Sequence, residues 1–285
     1  MPIDHARLMA LDVPEREFAY SERDTLLYAL AVGMGRELPA DLPFVQERGL
    51  QALPTQAVVV AWEDTWQERA GLDIGRIVHG EQRVTLHRPL APAGRVRSRF
   101  RIAEAFDKGP GRGAVLLAET QLFDATDGAA VATLLSTVFA RGDGGFGGPA
   151  GRGPAPHAVP GRAADRSVRV EVRPEQAALY RLCGDRNPLH VDAAAARSAG
   201  FERPILHGLC TWGMAAAAVV REACAREAAR LRHFEARFTA PVEPGQTLDI
   251  DLWLDGAEVS LRARVGDTVV LDHGLARIQP ISSDS

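Results

Sequence analysis

Between Gly142 and Gly161, 12 of 20 residues are glycine or proline. Such a stretch cannot sustain regular backbone hydrogen bonding. It divides the 285-residue chain into residues 1–141 and 162–285, joined by a linker over 142–161. Each part is of ordinary domain size and has to bury a core of its own.

The two parts share a spacing. Tyr28-Ala-Leu opens a segment that reaches Pro89, with Gly94 shortly after; Tyr180-Arg-Leu opens one that reaches Pro241, with Gly245 after it. Both tyrosine-to-proline intervals are 61 residues. Between them, Leu53-Pro-Thr-Gln and Arg203-Pro-Ile-Leu each precede an apolar segment. Three matches in the same order point to a duplicated fold.

Within each part a helical segment and an irregular stretch come first, then an apolar helix, then alternating extended segments. In the second part the helix is expected from Gly208 to about Arg230, rich in alanine and uncharged in its early turns. Small side chains there let a sheet approach closely. Strands are expected over 234–238, 247–254, 258–265 and 269–278, and in the first part over 76–85, 96–106, 115–124 and 130–140. The predicted fold is α+β: one long helix wrapped by a curved antiparallel sheet, twice over.

Charge and composition narrow the function. With 33 basic against 37 acidic residues and no long run of one sign, a nucleic-acid binder that relies on phosphate contacts is not expected. The longest apolar run, Met214 to Val220, is far short of the ~18 residues of a membrane helix, so no membrane partner is expected. The opening residues lack a basic-then-apolar leader pattern. Cys183, Cys210 and Cys224 form no CxxC pair and suit a reducing compartment. The chain ends Ile-Ser-Ser-Asp-Ser, without the Ser-Lys-Leu peroxisomal address, which favours the cytoplasm. No metal-ligand cluster and no glycine loop that would cradle a nucleotide are apparent, so neither a metal nor a cofactor is expected.

The segment Tyr180-Arg-Leu-Cys-Gly-Asp-Arg-Asn-Pro-Leu-His-Val-Asp carries Asp185, Asn187 and His190 within six residues. Gly-Asp and Asn-Pro are ordinary turn formers, and the acid and amide could simply cap neighbouring amides. A carboxylate, an amide and an imidazole on one irregular segment can also hold and activate a water. The second cluster is Pro204-Ile-Leu-His-Gly-Leu-Cys, at the start of the alanine-rich helix. A glycine there, Gly208, can present a free N–H to a carbonyl oxygen; equally, the segment could be a helix entry with a buried, satisfied His207.

Together the two clusters resemble the hydratase 2 signature of the MaoC-like (R)-specific enoyl-CoA hydratases. The likeness extends to Val78-His-Gly-Glu-Gln, Asp107-Lys-Gly, the Gly144-Gly-Phe-Gly-Gly stretch, Gln176-Ala-Ala-Leu-Tyr, Ala199-Gly-Phe, Ala236-Arg-Phe and Pro244-Gly-Gln-Thr. It covers essentially the whole chain and is similar to the double-hot-dog hydratase 2 unit of peroxisomal multifunctional enzymes type 2. The resemblance implies a double hot-dog fold and reversible hydration of a trans-2-enoyl-CoA to a (3R)-3-hydroxyacyl-CoA in fatty-acid metabolism such as β-oxidation. It implies Asp185 and His190 as the acid–base pair, Asn187 as the amide that orients them and Gly208 as the thioester-carbonyl donor. His79, Gly80, Lys108 and Phe238 match positions lining the acyl-CoA site. Lys108, the only lysine among 33 basic residues, fits a contact to a CoA phosphate, although an exposed loop lysine would look the same.

The first part has no copy of the Gly-Asp-x-Asn-Pro-x-His motif. One active site per chain is therefore expected, with the first part giving room for the acyl tail. A homodimer is expected, as hot-dog proteins commonly associate through their sheets. Asp24, Glu63, Asp64 and the four tryptophans read as ordinary fold and surface residues. Other readings are dehydration of 3-hydroxyacyl groups on an acyl carrier protein, a hot-dog thioesterase, and a non-catalytic acyl-CoA-binding protein.

Overall fold

The computed structural model describes residues 3–280; the end residues Ile281 to Ser285, on which the reading of the missing address rests, lie outside it. Ten strands form one sheet: β1 (Arg16–Tyr20), β2 (Ile77–Leu86), β3 (Gly94–Asp107), β4 (Ala114–Asp124), β5 (Ala130–Ala140), β6 (Arg166–Glu171), β7 (Leu231–Phe238), β8 (Thr247–Asp255), β9 (Glu258–Val265) and β10 (Thr268–Ile278). Their order is β1-β3-β4-β5-β2-β7-β10-β9-β8-β6, and every pairing is antiparallel. Reversing the second five gives the first five with each strand replaced by its counterpart. The duplication thus becomes a two-fold arrangement about the β2–β7 seam, where Arg83 faces Glu235 and Val84 faces Phe234. This is the double hot-dog fold.

The helix of the second half, Gly208–Ala223, lies in the concave face of the sheet. Every residue from Leu209 to Arg221 is buried, and Ala215 to Ala218 are at most 1 % exposed. An alanine run of that kind lets β7 to β10 close around the helix with no large side chain to hold them off. The helix stops at Ala223, short of the expected Arg230. Ala225 and Arg226 take left-handed backbone angles of 52° and 62°, and the Arg226 N–H closes on the Val220 carbonyl. Local propensity favours continuing, but the Arg226 guanidinium is drawn to Glu37 and Asp41, and Gln51 accepts the Ala228 N–H.

The expected long helix of the first half is absent. In its place stand a 3-10 turn, Pro54–Gln56, and one helical turn, Ala57–Val60. Three successive valines are poor helix formers, and Glu63 then accepts both the N–H and the hydroxyl of Thr65, turning the chain away. β1 and β6, the two edge strands, extend the expected strand set. The spacing shared by the two tyrosines has a physical counterpart: the rings of Tyr28 and Tyr180, both buried, lie 6.1 Å apart where the halves meet.

Residues 142–161 are irregular yet fixed. Leaving β5, the chain must cross β2, β7, β10, β9 and β8 to reach β6 at the far edge. Asp107 accepts the N–H groups of Gly145 and Gly147. Further along, Pro154 accepts from Arg237 of β7, His157 pairs with Ser260 of β9, and its carbonyl accepts from His273 of β10. The glycines and prolines therefore make a strap laid across the sheet.

Candidate active site

The catalytic-type residues sit where the loop after Tyr180 meets the start of the Gly208 helix. Gly184 takes φ +150°, and a Cβ there would stand 3.2 Å from the Cβ of Trp62, so the loop approaches the first half as only glycine allows. Asp185 follows. One of its carboxylate oxygens accepts the Asn187 N–H at 3.1 Å. The Asn187 side chain in turn accepts the Leu189 N–H at 3.0 Å, capping the 3-10 turn Pro188–His190. Asn187 thereby fixes the turn that presents His190.

His190 is buried, and its Nδ1 lies 2.9 Å from the Ile205 carbonyl. A carbonyl can only accept, so Nδ1 carries the proton and Nε2 presents a lone pair. That Nε2 is 4.0 Å from an Asp185 carboxylate oxygen. Burial raises the Asp185 carboxyl above its ordinary range, with Asp64 adding to the shift and the Asn187 N–H and His190 opposing it. Burial lowers His190, against the pull of the Ile205 carbonyl and Asp185. Both shifts favour uncharged groups, as desolvation requires.

Gly208 is the first residue of its helix and is exposed, whereas the residues after it are buried. Its N–H has no carbonyl one turn back to bind and lies at the positive end of a 16-residue helix. A Cβ at this position would press to 3.2 Å on two ring carbons of Phe238. Phe238 in turn packs against His79, with ring centroids 4.9 Å apart. Burial lowers His79 to about 4, so it is neutral at physiological pH. Gly80 forms the bulge between His79 and Glu81 in the β2–β5 pairing. Gly208, Phe238, His79 and Gly80 are thus brought into one contiguous surface. Lys108 stands apart from that contact chain, its Nζ 4.9 Å over the Phe139 ring. Phe139 pairs with Val78, the neighbour of His79, so the lysine is on the same side of the seam.

Three residues not expected at the site belong to it. His207 is fully buried and stacks on His190 with ring centroids 3.6 Å apart and 26° between planes. Its Nε2 donates to the Asp185 carbonyl at 3.2 Å, while Nδ1 is buried without a partner. Asp64 raises the Asp185 carboxyl, and Trp62 lies under Gly184. In sequence nothing distinguishes Asp64 from a surface acid, and only the histidine-glycine pair 207–208 carried a signal.

Asp185, His190 and His207 each bring one ligand-type atom within 4.8 Å of the others. The stacked imidazoles nonetheless aim their in-plane lone pairs almost side by side, so the two cannot converge at the about 2 Å of a histidine–metal bond. The donor set suits proton exchange with a water better than the binding of a metal ion.

A family model for the MaoC-like domain matches residues 156–272, and a model for the MFE-2 hydratase 2 N-terminal domain matches residues 18–142. An enoyl-CoA hydratase from Mycobacterium tuberculosis is 38% identical over 96% of this chain and 98% of its own length. A 3-hydroxyacyl-thioester dehydratase from the same organism is 40% identical over 96% and 98%. Among solved structures, a MaoC-like dehydratase from Phytophthora capsici matches with a TM-score of 0.86 at 30% identity, over 97% of this chain and 99% of that one.

Proposed function

The chain belongs to the MaoC-like hydratase 2 family, and from that premise we propose that it adds water reversibly to a trans-2-enoyl-CoA, giving the (3R)-3-hydroxyacyl-CoA. The observation that carries the mechanism is the 4.0 Å gap between the Asp185 carboxylate and the bare Nε2 of His190. A water at a hydrogen-bond distance of roughly 2.8 Å from both acceptors would meet them at about a right angle, close to its own H–O–H angle. Each O–H then has an acceptor, and a lone pair is left for C3 of the enoyl group.

His190 takes one water proton as general base while the C–O bond forms at C3. The electron pair of the double bond moves toward the thioester, and the oxygen gains negative charge. The Gly208 N–H and the positive helix end stabilise it there. C2 receives the proton that the Asp185 carboxyl, raised by burial, already carries. The proton taken up by His190 then passes back to Asp185 to restore the pair, the new hydroxyl keeping the second water proton. Water and proton come from one face, so addition is syn. Asn187 holds the turn, and the neutral Phe238–His79 surface lines the way in.

A cleft of about 170 Å³ supports the reading that the first half takes the acyl tail. Leu27, Val59, Val60 and Leu182 give it an apolar side and Tyr20, Asp24 and Gln56 a polar one, and Cys183, also in its lining, is two residues from Asp185. Lys108, the only lysine of the chain, supplies a point charge for a CoA phosphate, and this favours CoA over a protein carrier. The proposal includes a homodimer, for which β1 and β6 each offer an edge paired on one side only, and a cytoplasmic setting, for which the free thiols of Cys183, Cys210 and Cys224 speak. Among the described residues no helix is long and apolar enough to cross a membrane.

The test follows loss of enoyl-thioester absorbance with short and medium trans-2-enoyl-CoA substrates, the product being offered to (R)- and (S)-specific 3-hydroxyacyl-CoA dehydrogenases in turn. Hydration followed by oxidation with the (R)-specific enzyme alone is expected. Oxidation by the (S)-specific enzyme, or silence across the series from folded protein, overturns the proposal.

A further inference from the structure

We propose that His207 is a positioning residue for the hydration reaction: it sets the ring plane of His190, shields it from water, and ties the Asp185 loop to the same support. The proposal rests on the assignment of Asp185 and His190 as the acid–base pair. His190 is held at one ring edge by the Ile205 carbonyl, which fixes its tautomer but leaves rotation about that bond open. The His207 ring closes one face of it at 3.6 Å. Through Nε2–H the same imidazole holds the Asp185 backbone carbonyl at 3.2 Å. One buried side chain thus contacts both members of the pair, and a shift of either relative to the other requires it to move.

His207 is itself held. It caps the Gly208 helix, its carbonyl accepts the N–H groups of Cys210 and Thr211, and its ring lies 5.0 Å from that of buried Tyr180. The bare Nδ1, buried with no donor, marks a place where polar satisfaction gives way to position. A proton there would set an imidazolium against His190 and beside Arg181; burial, His190 and Arg181 hold His207 down to about 3. The groups facing the pair are therefore Arg181 and Tyr180 from the preceding turn, Asp185 from the loop and Asp64 through it. With His207 neutral, the stacked rings accommodate one charge, the proton that His190 takes from water, over an aromatic face.

Two variants separate the two contacts. His207→Phe keeps an aromatic face on His190 and loses the N–H to Asp185. His207→Gln keeps a donor of similar reach and loses the face. In both, kcat is expected to fall 10- to 100-fold with KM within about threefold, the size of effect a misplacement of about 1 Å produces. In His207→Gln the acid limb of the pH profile of kcat/KM should also move to higher pH, because water reaches His190 and its depressed affinity relaxes. In His207→Phe the limb should stay near that of the wild type. Wild-type kcat per folded molecule and an unmoved limb, with only thermal stability lowered, would overturn the proposal in favour of a purely structural role. If His207→Gln does not fold, kcat in His207→Phe still decides. His190→Ala is measured alongside: if it is inactive while both His207 variants are normal, this inference fails alone, whereas full activity in His190→Ala removes the reading beneath it.

Discussion

Each half of the molecule places an aspartate close to where the halves meet, Asp41 fully buried and Asp185 partly so, and the two have opposite fates. Tyr28 and Tyr180, like Pro89 and Pro241, are 152 positions apart; the same offset puts Gly33 opposite Asp185 and Leu38 opposite His190. Leu38 is 61 % exposed and carries no chemistry. Just beyond it, Asp41 is buried and bound bidentately by Arg221 of the second-half helix at 2.7 and 3.2 Å. It also accepts the Gly35 and Glu37 N–H groups, and Arg221 donates to the Gly33 carbonyl. Burial alone would raise the Asp41 carboxyl, but the Arg221 hydrogen bond and charge outweigh it and hold it below its usual range. Asp185 has no guanidinium, and burial wins. A buried carboxylate with a full set of donors is a clamp; the same group with one N–H and a neutral imidazole is left able to exchange a proton. One scaffold therefore holds one aspartate as a clamp and leaves the other, the proposed catalytic one, without a guanidinium partner.

That contrast breaks first, and with the largest effect, at the proposed acid–base pair. Asp185→Asn or His190→Ala should lower kcat by about 10³-fold or more, the scale of lost acid–base catalysis, while leaving the urea midpoint unchanged or raised. Activity within tenfold of wild type in either would place the chemistry elsewhere. Asp41→Ala should do the reverse. Removing one partner of a buried pair strands Arg221 and costs about 3–5 kcal/mol of folding stability, yet kcat per folded molecule should stay within a few-fold. Urea unfolding with single-turnover rates on the folded fraction would show it. Loss of chemistry without loss of stability would mean that Asp41 reaches the reaction.

Acid sharpens the comparison with a smaller effect. The folded-state affinities of His79 and His207 are depressed to about 4 and about 3, from 6.5. Between those values the unfolded chain binds more protons than the folded one. Stability is therefore complete above pH 6.5 and declines as the pH falls, by about 2 kcal/mol for each of the two histidines at pH 5. The raised carboxyl of Asp185 works in the other direction and offsets part of this. Asp41, held low, keeps its contribution until the pH drops below the ordinary 3.8. Acid should thus loosen the histidine-lined seam before it loosens the clamp. His79→Leu should remove about 2 kcal/mol of the stability lost between pH 7 and pH 5; an unchanged difference would show that His79 is not buried neutral.

Residues contiguous in sequence disclosed most of this. Asp185, Asn187 and His190 lie on one turn, and the eight strands of the inner sheet announce themselves by alternation. β1, Arg16-Glu-Phe-Ala-Tyr, and β6, Arg166-Ser-Val-Arg-Val-Glu, carry too many charges for their length to read as strands; pairing with β3 and β8 makes them so. The end of the central helix at Ala223 depends on Glu37 and Asp41, nearly two hundred residues away. The stack of His207 on His190 joins residues 17 apart on separate elements, and no local pattern encodes a ring-to-ring contact. Propensity and periodicity speak for the chain near itself, whereas stops, stacks and clamps are set by what tertiary packing delivers.

The smallest expected effect concerns the cleft proposed to take the acyl tail. Val60 lines the cleft of about 170 Å³ and is only half-buried, so a larger side chain there can be accommodated without forcing the core apart. Val60→Trp should fill part of the cleft. A four-carbon enoyl chain ends near the reacting carbons and should be hydrated at the wild-type rate. A ten-carbon chain would lose the burial of about two methylenes, near 0.8 kcal/mol each, so its kcat/KM should fall about 10-fold. The ratio of the two rates is the informative quantity, since it cancels any change in the amount of active protein. A ratio that moves toward short chains makes the first half a chain-length gauge. Equal losses for both substrates would mean that the tryptophan disturbs the loop at Gly184 and that the tail leaves the site by another route.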